Sequence, residues 1–263
     1  MEKSAKELVR NEVKEKLGRN ELVLSMAVRL VRTVEIASIA SATGFDSLYI
    51  DLEHNSFSID TAGQICMAAL AVGVTPFVRV LSHQQIPRVL DGGALGVIAP
   101  HIESAADAMQ IVSAAKFPPL GNRSIAGNLP HFGFRTLPAA DVVTALNDAT
   151  MVVVMIESGE ALKAVEEIAS VDGVDILFIG TSDLCASLGV PGQLDHDLVL
   201  DAYQRCAEAC SKHGKHLGIG GLSAHPKLTA QLIQLGARYV STGTDLSFLL
   251  SAATAKVKQM QEL

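Results

Sequence analysis

The chain has 263 residues, about half of them apolar, and a formal net charge of −7. This length suits one large domain or two small ones, and the interspersed charges lack the concentrated basic face that a nucleic-acid surface needs. No apolar run reaches the roughly 18 to 20 residues that a membrane span requires, so we expect a soluble protein without nucleic-acid partners.

The beginning of the chain and its cysteines indicate a cellular compartment. The opening MEKSAKELVRNEVKEKL is a charged helical pattern without the apolar segment of a signal peptide. The cysteines Cys66, Cys185, Cys206 and Cys210 form no CxxC pair, and Cys206 and Cys210 have no second ligand pair for a metal. We therefore expect packing thiols in a protein of the reducing cytoplasm.

Short apolar runs bounded by turn residues predict eight strands. The runs cover 22–28, 47–53, 75–80, 96–101, 151–158, 176–183, 216–221 and 238–245. The stretches between them have helical patterns, and several of these end in a glycine suited to a left-handed C-cap. The order of elements is therefore strand, helix, strand, helix along the whole chain.

This alternation predicts an α/β protein with a (β/α)8 TIM-barrel fold and no domain boundary across 1–263. Strands that are almost continuously apolar are typical of a parallel sheet covered by helices, and eight units in this length favour a closed barrel. An extra N-terminal helix over 3–17 is predicted to plug the bottom of the barrel. The long segment 116–150 carries KFPPLGNRSIAGNLPHFGF, and such Gly/Pro-rich loops are usually functional or act as lids.

Charged residues close five of the eight runs, at the barrel end where active sites lie. They are Asp51, Glu53 and His54 after the second run, Arg79 after the third, Glu157 after the fifth, Asp183 after the sixth and Asp245 after the eighth. Strands two and three are neighbours, as are five and six, and in a ring of eight these two pairs face each other. The mouth is therefore predicted to be polarised.

The two predicted rims suggest a ligand. Glu157 and Asp183 would repel each other unless a hard divalent cation neutralises them, whereas Arg79 suits a carboxylate and His54 is a candidate proton carrier. A 2-oxo acid such as pyruvate fits both rims, because its ketone oxygen on the cation would acidify its methyl group. No predicted strand ends in lysine, so a Schiff-base mechanism lacks a nucleophile.

Each of these residues also has an ordinary structural interpretation. Asp183 could cap a helix, Arg79 could pair with Asp91 or Glu53, and His54 could be a surface residue. The glycine-rich HLGIGG and STGTD after strands seven and eight also allow a phosphate site. We favour a functional set because four such residues fall on opposed strand pairs.

Over residues 22–250 the sequence resembles the HpcH/HpaI aldolase family of class II, metal-dependent pyruvate aldolases. That family includes 4-hydroxy-2-oxoheptanedioate aldolase and 2-keto-3-deoxy sugar-acid aldolases. The stretches that carry the resemblance are GFDSLYIDLEHN, TPFVRV, IPRVLDGGALGVIAPHIESAADA, KFPPLGNR, MVVVMIES, GVDILFIGTSDLCASLG and LGARYVSTGTD. The resemblance implies a TIM barrel that reversibly cleaves a 4-hydroxy-2-oxo acid to pyruvate and an aldehyde.

The resemblance also implies roles for single residues. Glu157 and Asp183 would bind a divalent metal, Mg²⁺, Mn²⁺ or Co²⁺, while Arg79 would hold the pyruvate carboxylate and stabilise the enolate. His54 would act as acid and base together with a metal-bound water, and Asp51 would orient His54.

Further implied roles concern the surroundings of this set. Asp91 matches an acid that the family places near the arginine, often across a subunit boundary, and the backbone amides of 180–182 (Gly180, Thr181 and Ser182) would meet the substrate carboxylate. The family commonly forms a hexamer, a trimer of dimers that exchange the last helix, and the amphipathic tail LSFLLSAATAKVKQM permits this.

Two departures from the family pattern affect what is expected of the substrate. GTSDL has Thr181 where the family has proline, and FPPLGNRS has Ser124 where glycine is usual. The distinctive IAGNLPHFGFRT that follows is predicted to lie over the aldehyde acceptor. Alternatives are a barrel lyase for CoA thioesters of the citrate-lyase β or malyl-CoA type, a phosphate-binding isomerase or synthase barrel, and a non-catalytic sensor.

Overall fold

The computed structural model of the chain describes residues 4–263. Eight parallel strands close into a barrel in which each strand pairs with the next along the chain and β8 pairs with β1. The strands are β1 (Val23–Val28), β2 (Ser47–Asp51), β3 (Thr75–Arg79), β4 (Gly96–Ala99), β5 (Met151–Ile156), β6 (Ile176–Gly180), β7 (His216–Gly220) and β8 (Ala237–Thr244). The predicted (β/α)8 barrel is confirmed, and each of the eight predicted runs coincides with a strand, with β8 beginning one residue earlier than predicted.

Helices surround the barrel. Over residues 4–263 they are α1 (Ala5–Leu8), α2 (Glu12–Gly18), α3 (Glu35–Thr43), α4 (Ile59–Ala71), α5 (Ile86–Asp91), α6 (Ala105–Ala115), α7 (Ala139–Ala149), α8 (Gly159–Lys163), α9 (Val165–Ala169), α10 (Thr181–Ser187), α11 (Asp197–His213), α12 (Pro226–Leu235) and α13 (Asp245–Gln261). Short 3-10 turns lie at His83–Gln85 and Pro130–Phe132. Of the helices described, none is both long and apolar enough to pass through a bilayer.

The alternation of side chains along each strand separates two cores. One set faces the helices. The other fills the barrel interior, where the rings of Tyr49, Phe77, Phe178 and Tyr239 pack with centroids 5.6 to 6.1 Å apart. The interior is therefore filled with side chains in its middle, and its upper end, at the C-terminal ends of the strands, opens into a cavity. We call this end the mouth and the opposite end the bottom.

The extra N-terminal helix is present as two pieces. Helices α1 and α2 are separated at Asn11, whose side chain accepts the N–H of Lys14 and donates to the carbonyl of Ala149 at 2.7 Å. Val13 and Leu17 of α2 join the interior core from the bottom, as predicted for a plug. Residue 3 of the predicted helix lies outside the described residues.

The long segment between α6 and α7 lies at the bottom of the barrel. His131 contacts the carbonyl of Ala94 at 3.0 Å, and Leu129 and Phe132 pack beside Leu95, which precedes β4. The prediction that this segment covers the acceptor is wrong for the chain's own mouth. Because β4 exits at the mouth and α6 brings the chain back down, the connection to β5 has to run along the bottom face.

The four cysteines all lie, as free thiols, in the core between the strands and the helices. Burial raises the pKa of Cys210 to about 12, so this thiol remains protonated at neutral pH. Their placement agrees with their interpretation as packing residues.

Candidate active site

The inward-facing rows of side chains on two neighbouring strands become charged as they reach the mouth. On β2, Tyr49 is followed two residues later by Asp51, and on β3, Phe77 is followed by Arg79. Asp51 and Arg79 are register partners in the β2–β3 pair. Since side chains alternate along a strand, the same row that fills the interior delivers these charges to the opening. The predicted polar end of the second strand is thus placed at the mouth.

Arg79 is held by two carboxylates. Its Nε and Nη2 donate to Oδ1 and Oδ2 of Asp51 at 2.9 and 2.6 Å, and its Nη1 lies 2.8 Å from Oε2 of Glu53. The guanidinium also lies over the ring of Tyr49, 5.3 Å from its centroid. Burial opposes both charges, yet the pairing outweighs it, raising the pKa of Arg79 and lowering the pKa of Asp51. The arginine is thereby fixed and permanently charged.

His54 lies on the same wall of the mouth and is half-exposed. Asp51 accepts the backbone N–H groups of Glu53 and His54 at 2.9 and 3.3 Å, so it holds the turn that follows β2. The His54 imidazole contacts Glu53 instead, with Nε2 3.7 Å from Oε2. The prediction that Asp51 orients His54 is therefore corrected: Asp51 positions the backbone of His54, and Glu53 is the carboxylate beside the ring.

A second set of carboxylates follows β5 and β6, which pair with each other in the barrel. Glu157 follows β5 and is 6% exposed, whereas Asp183 lies exposed in the first turn of α10 and lines the cavity at the mouth. Burial raises the pKa of Glu157, with the charges of Asp183 and Glu53 adding to the effect and His101 opposing it. A buried carboxylate near a second one is a site that a cation would stabilise.

The donors at this place fit a hard divalent cation only in part. Within residues 4–263, no cluster of three or more His, Cys, Asp or Glu side chains is arranged to hold a metal. A side chain on Gly180 would place its Cβ 2.8 Å from Oε2 of Glu157, so the glycine keeps the space at that oxygen open. Mg²⁺ is commonly bound by one or two carboxylates with water and substrate completing the shell. Glu157 and Asp183 are compatible with that mode.

His101, which follows β4, is a residue that the sequence did not single out. Its backbone has φ 58°, and its N–H donates to Oε1 of Glu157 at 2.7 Å. Its ring bridges the two rims, with Nδ1 3.0 Å from Oε1 of Glu157 and Nε2 2.7 Å from Oε1 of Glu53. The available signal was its position at the end of the fourth predicted strand.

The cavity at the mouth has a volume of about 560 Å³ and is lined by Gly180, Thr181 and Ser182 on the β6 side. The Thr181 side chain is buried, donates to the carbonyl of Gly220 at 2.7 Å and contacts the hydroxyl of Tyr203. The resemblance implies proline at this position. Threonine here anchors the loop to its neighbours through its hydroxyl, which leaves the backbone N–H of Thr181 as the group for a ligand.

The remaining strand-end acid, Asp245, has a structural role. It is the first residue of α13, and its buried carboxylate accepts the backbone N–H groups of Arg29, Leu30 and Val31 at 2.7 to 3.2 Å. This cage fixes the chain after β1. Arg29, also missed by sequence reasoning, lines the cavity with Nε 3.0 Å from Oδ2 of Asp51.

Asp91 is not brought to this chain's own mouth. It ends α5 at the bottom of the barrel, where its Oδ1 accepts a hydrogen bond from Arg123 Nη2 at 2.7 Å. The guanidinium of Arg123 is buried over the ring of Phe117, 4.6 Å from its centroid. The ordinary pairing of Arg79 with Asp91 is therefore absent among the described contacts, and Arg79 pairs with Asp51 and Glu53.

Comparisons with known proteins assign the chain to a family. The family model described as HpcH/HpaI aldolase/citrate lyase matches residues 30–252. The chain is 37% identical to the 4-hydroxy-4-methyl-2-oxoglutarate aldolase tasA of Hapsidospora irregularis, over 92% of both proteins. It is 31% identical to the 2-keto-3-deoxy-L-rhamnonate aldolase of Escherichia coli K12, over 90% of this chain and 88% of that one.

A solved structure agrees. The crystal structure of an HpcH/HpaI aldolase from Desulfitobacterium hafniense DCB-2 matches with a TM-score of 0.89 and 28% identity, covering 95% of this chain and 96% of that one. The relatives are 2-oxo-acid aldolases, and the prediction of a carbon–carbon lyase of the aldolase type is confirmed. Class II aldolases of this kind generally depend on a divalent metal. The chain belongs to the HpcH/HpaI aldolase/citrate lyase family.

Proposed function

We propose that the chain reversibly cleaves a 4-hydroxy-2-oxo acid to pyruvate and an aldehyde, with Glu157 and Asp183 holding Mg²⁺, Mn²⁺ or Co²⁺. The observation that carries the proposal is the arrangement at the mouth: Arg79 is paired with Asp51 and Glu53, and the His101 ring lies between Glu53 and the buried Glu157. The cation, when bound, supplies Lewis-acid polarisation of the 2-oxo group. The chain's own residues supply the remaining charge and proton chemistry.

Arg79 stabilises the negative charge that develops during cleavage. Breaking the C3–C4 bond leaves its electron pair on the pyruvate half, as an enolate whose charge lies on the 2-oxo oxygen. Asp51 and Glu53 fix the guanidinium beforehand, and N–H groups on Nη1 and Nη2 remain for a substrate. A donor that is already oriented costs no reorganisation in the transition state. The backbone of 180–182 is proposed to meet the substrate carboxylate.

His54 carries the protons. In the cleavage direction the C4 hydroxyl proton leaves as the C3–C4 bond breaks, and a proton is later delivered to C3 of the enolate to give pyruvate. The imidazole lines the cavity, with Nε2 3.7 Å from Oε2 of Glu53, and histidine is the side chain most often used for such proton transfers. In the direction of synthesis the same residue takes a proton from C3, the pyruvate methyl group, and delivers a proton to the oxygen on C4 as the C3–C4 bond forms.

Removing the metal tests this proposal. We expect protein treated with EDTA to lose pyruvate release from a 4-hydroxy-2-oxo acid, and Mg²⁺, Mn²⁺ or Co²⁺ to restore it, because Lewis-acid catalysis contributes several kcal/mol. The measurement is pyruvate release coupled to lactate dehydrogenase before and after each metal is added. Full activity in protein shown by elemental analysis to be metal-free would contradict the proposal.

The relatives leave the acceptor open. One is named for 4-hydroxy-4-methyl-2-oxoglutarate, whose two halves both carry a carboxylate. Another is named for 2-keto-3-deoxy-L-rhamnonate, whose acceptor half is an uncharged hydroxyaldehyde. The names therefore do not fix the charge of the aldehyde that this chain releases.

We also propose that the chain assembles as a hexamer, a trimer of dimers that exchange the last helix. Helix α13 supports this because it leaves apolar side chains exposed along its length, among them Leu249, Leu250, Val257 and Met260. Asp91, at the bottom of its own barrel and held by Arg123, would then serve the mouth of a neighbouring copy.

The assembly is testable on the full chain. We expect sedimentation velocity to give a species much larger than the 27.7 kDa monomer, and the double change Leu249→Glu and Leu250→Glu to shift it to smaller species, because charge disfavours a buried apolar interface. Lys256→Glu, at an exposed position of the same helix, is the control and should retain the assembly. A monomeric wild type would refute the proposed hexamer.

A location in the reducing cytoplasm is part of the proposal. It is supported by the four cysteines, each of which is buried as a free thiol. Disulfides are rare in that compartment, where thiols are kept reduced.

A further inference from the structure

A second arginine lies at the mouth, and the function proposed above does not use it. Arg29 follows β1 and lines the cavity, with Nε 3.0 Å from Oδ2 of Asp51. Asp51 therefore lies between two guanidinium groups, that of Arg79 from β3 and that of Arg29 from β1. The two arginines differ in exposure: the Arg29 side chain is 35% exposed and that of Arg79 is 9% exposed.

The planar fork of Arg29 has no protein partner. Across residues 4–263, Asp51 is the residue that forms an ion pair with Arg29, and no hydrogen bond engages Nη1 or Nη2 of Arg29, whereas both terminal nitrogens of Arg79 face carboxylates. Arg32, three residues later, is also satisfied: its Nη2 donates to Ser56 Oγ at 2.7 Å and its guanidinium lies over the Phe57 ring. A guanidinium fork open to a cavity is suited to a carboxylate, which it can bind through two parallel hydrogen bonds.

The backbone of Arg29 is fixed by the carboxylate of Asp245. Asp245 accepts the N–H of Arg29 at 2.9 Å and those of the next two residues, and it is itself buried. A side chain that begins at a fixed backbone and is already paired with Asp51 has fewer conformations to lose on binding. The site is thus preorganised by residues that would not touch the ligand.

The wall next to Arg29 is uncharged. Hydroxyl residues line the cavity here: Ser223 after β7, Ser241 and Thr244 on β8, and Ser247 in α13. The carboxylates that line the cavity are Asp51, which both arginines neutralise, and Asp183, which is assigned above to the metal. A second anionic group in the cavity would therefore meet a cation and hydroxyl groups here, without a free carboxylate to repel it.

We propose that Arg29 is a specificity-determining residue that binds a carboxylate on the acceptor half of the substrate. The substrate is then a 4-hydroxy-2-oxo dicarboxylic acid, and cleavage gives pyruvate and a second oxo acid. This inference rests on the proposed function, in which Arg79 and the backbone of 180–182 hold the pyruvate half. Arg29, which follows β1, is left for the acceptor half.

The test measures acceptor preference in the direction of synthesis. Purified enzyme with its metal and saturating pyruvate is given matched acceptors with and without a carboxylate: glyoxylate against glycolaldehyde, and succinic semialdehyde against butyraldehyde. The two pairs cover two chain lengths. The readout is the ratio of kcat/KM values within each pair, which cancels any effect of a variant on the shared pyruvate chemistry.

We expect Arg29→Gln to lower the preference for the anionic acceptor about 10- to 100-fold in at least one pair, as for loss of a hydrogen bond to a charged group. Arg29→Lys, which keeps the charge without the fork, should give an intermediate ratio. Arg32→Gln is the matched control, because it removes a nearby positive charge outside the cavity and should leave both ratios unchanged. Thermal unfolding of each variant establishes that it is folded.

Equal losses for charged and neutral acceptors in Arg29→Gln would overturn the inference, because Arg29 would then act only through Asp51 on shared chemistry. Values of kcat/KM that Arg29→Gln leaves unchanged for every acceptor would also overturn it. A wild type that condenses no acceptor and exchanges no pyruvate protons would instead remove the proposed function itself. The inference alone fails if wild type exchanges pyruvate protons and condenses acceptors while both ratios stay the same in Arg29→Gln.

Discussion

Glu157→Gln and Asp183→Asn are each expected to lower kcat/KM for cleavage about 10³-fold, since the loss of a metal-binding carboxylate removes several kcal/mol of charge stabilisation. Both changes keep the size and one oxygen of the side chain. In Glu157→Gln that oxygen can still accept the N–H of His101, which the native carboxylate accepts at 2.7 Å. Isothermal titration with Mn²⁺ should show weaker binding in parallel with the lost activity.

Measurements of the free energy of unfolding separate a loss of metal binding from misfolding. Burial disfavours the charged form of Glu157, and the charge of Asp183 adds to this, so the neutral glutamine should leave the metal-free protein as stable as wild type or more stable. Glu160→Gln, at an exposed position in α8, is the matched control and should keep full activity. If Glu157→Gln and Asp183→Asn both retained wild-type activity and Mn²⁺ affinity, the metal assignment would be wrong.

Arg79→Lys is expected to lower kcat/KM about 10²-fold, the usual consequence of losing one oriented donor to a developing oxyanion. The native guanidinium uses Nε and Nη2 for Asp51 and Nη1 for Glu53. A lysine ammonium is a single point of charge that cannot make this set of contacts and also point at a substrate. The change should therefore reduce kcat as well as kcat/KM, because the lost interaction belongs to the transition state.

The control for this substitution is Arg88→Lys in α5, where the arginine is exposed. It should keep wild-type kinetics. Steady-state rates at saturating metal check both variants, and circular dichroism checks their folding. An Arg79→Lys enzyme with unchanged kcat and KM would show that the guanidinium geometry is not used in the reaction.

Much of the fold could be predicted because its signals are local. Each strand of the barrel is a short apolar run between turn residues, and the parallel arrangement follows from the helical segments between the runs. The positions of Asp51, Arg79 and Glu157 followed as well, since the ends of parallel strands meet at one end of a barrel. Periodicity did not reveal the break at Asn11, which depends on a hydrogen bond to Ala149, far away in the chain.

The finer geometry of the site depends on contacts that are distant in sequence. Asp245 and Arg29 are 216 positions apart, yet the carboxylate of one fixes the backbone of the other. The role of His101 requires its left-handed backbone conformation, which a sequence pattern rarely predicts for a non-glycine residue. Asp51 was expected beside the His54 ring, but its two oxygens are already taken by Arg79 and backbone N–H groups. The position of the 116–138 segment follows from the path of the chain, since a segment that connects a helix to the next strand lies at the bottom.

The most direct test of the central claim is proton exchange at the pyruvate methyl group in D2O, followed by NMR. It requires only the pyruvate half of the reaction and no aldehyde. Protein treated with EDTA should exchange no faster than buffer, addition of Mg²⁺, Mn²⁺ or Co²⁺ should start the exchange, and Arg79→Ala should abolish it. Absence of exchange with every metal, or equal exchange in Arg79→Ala, would contradict the account.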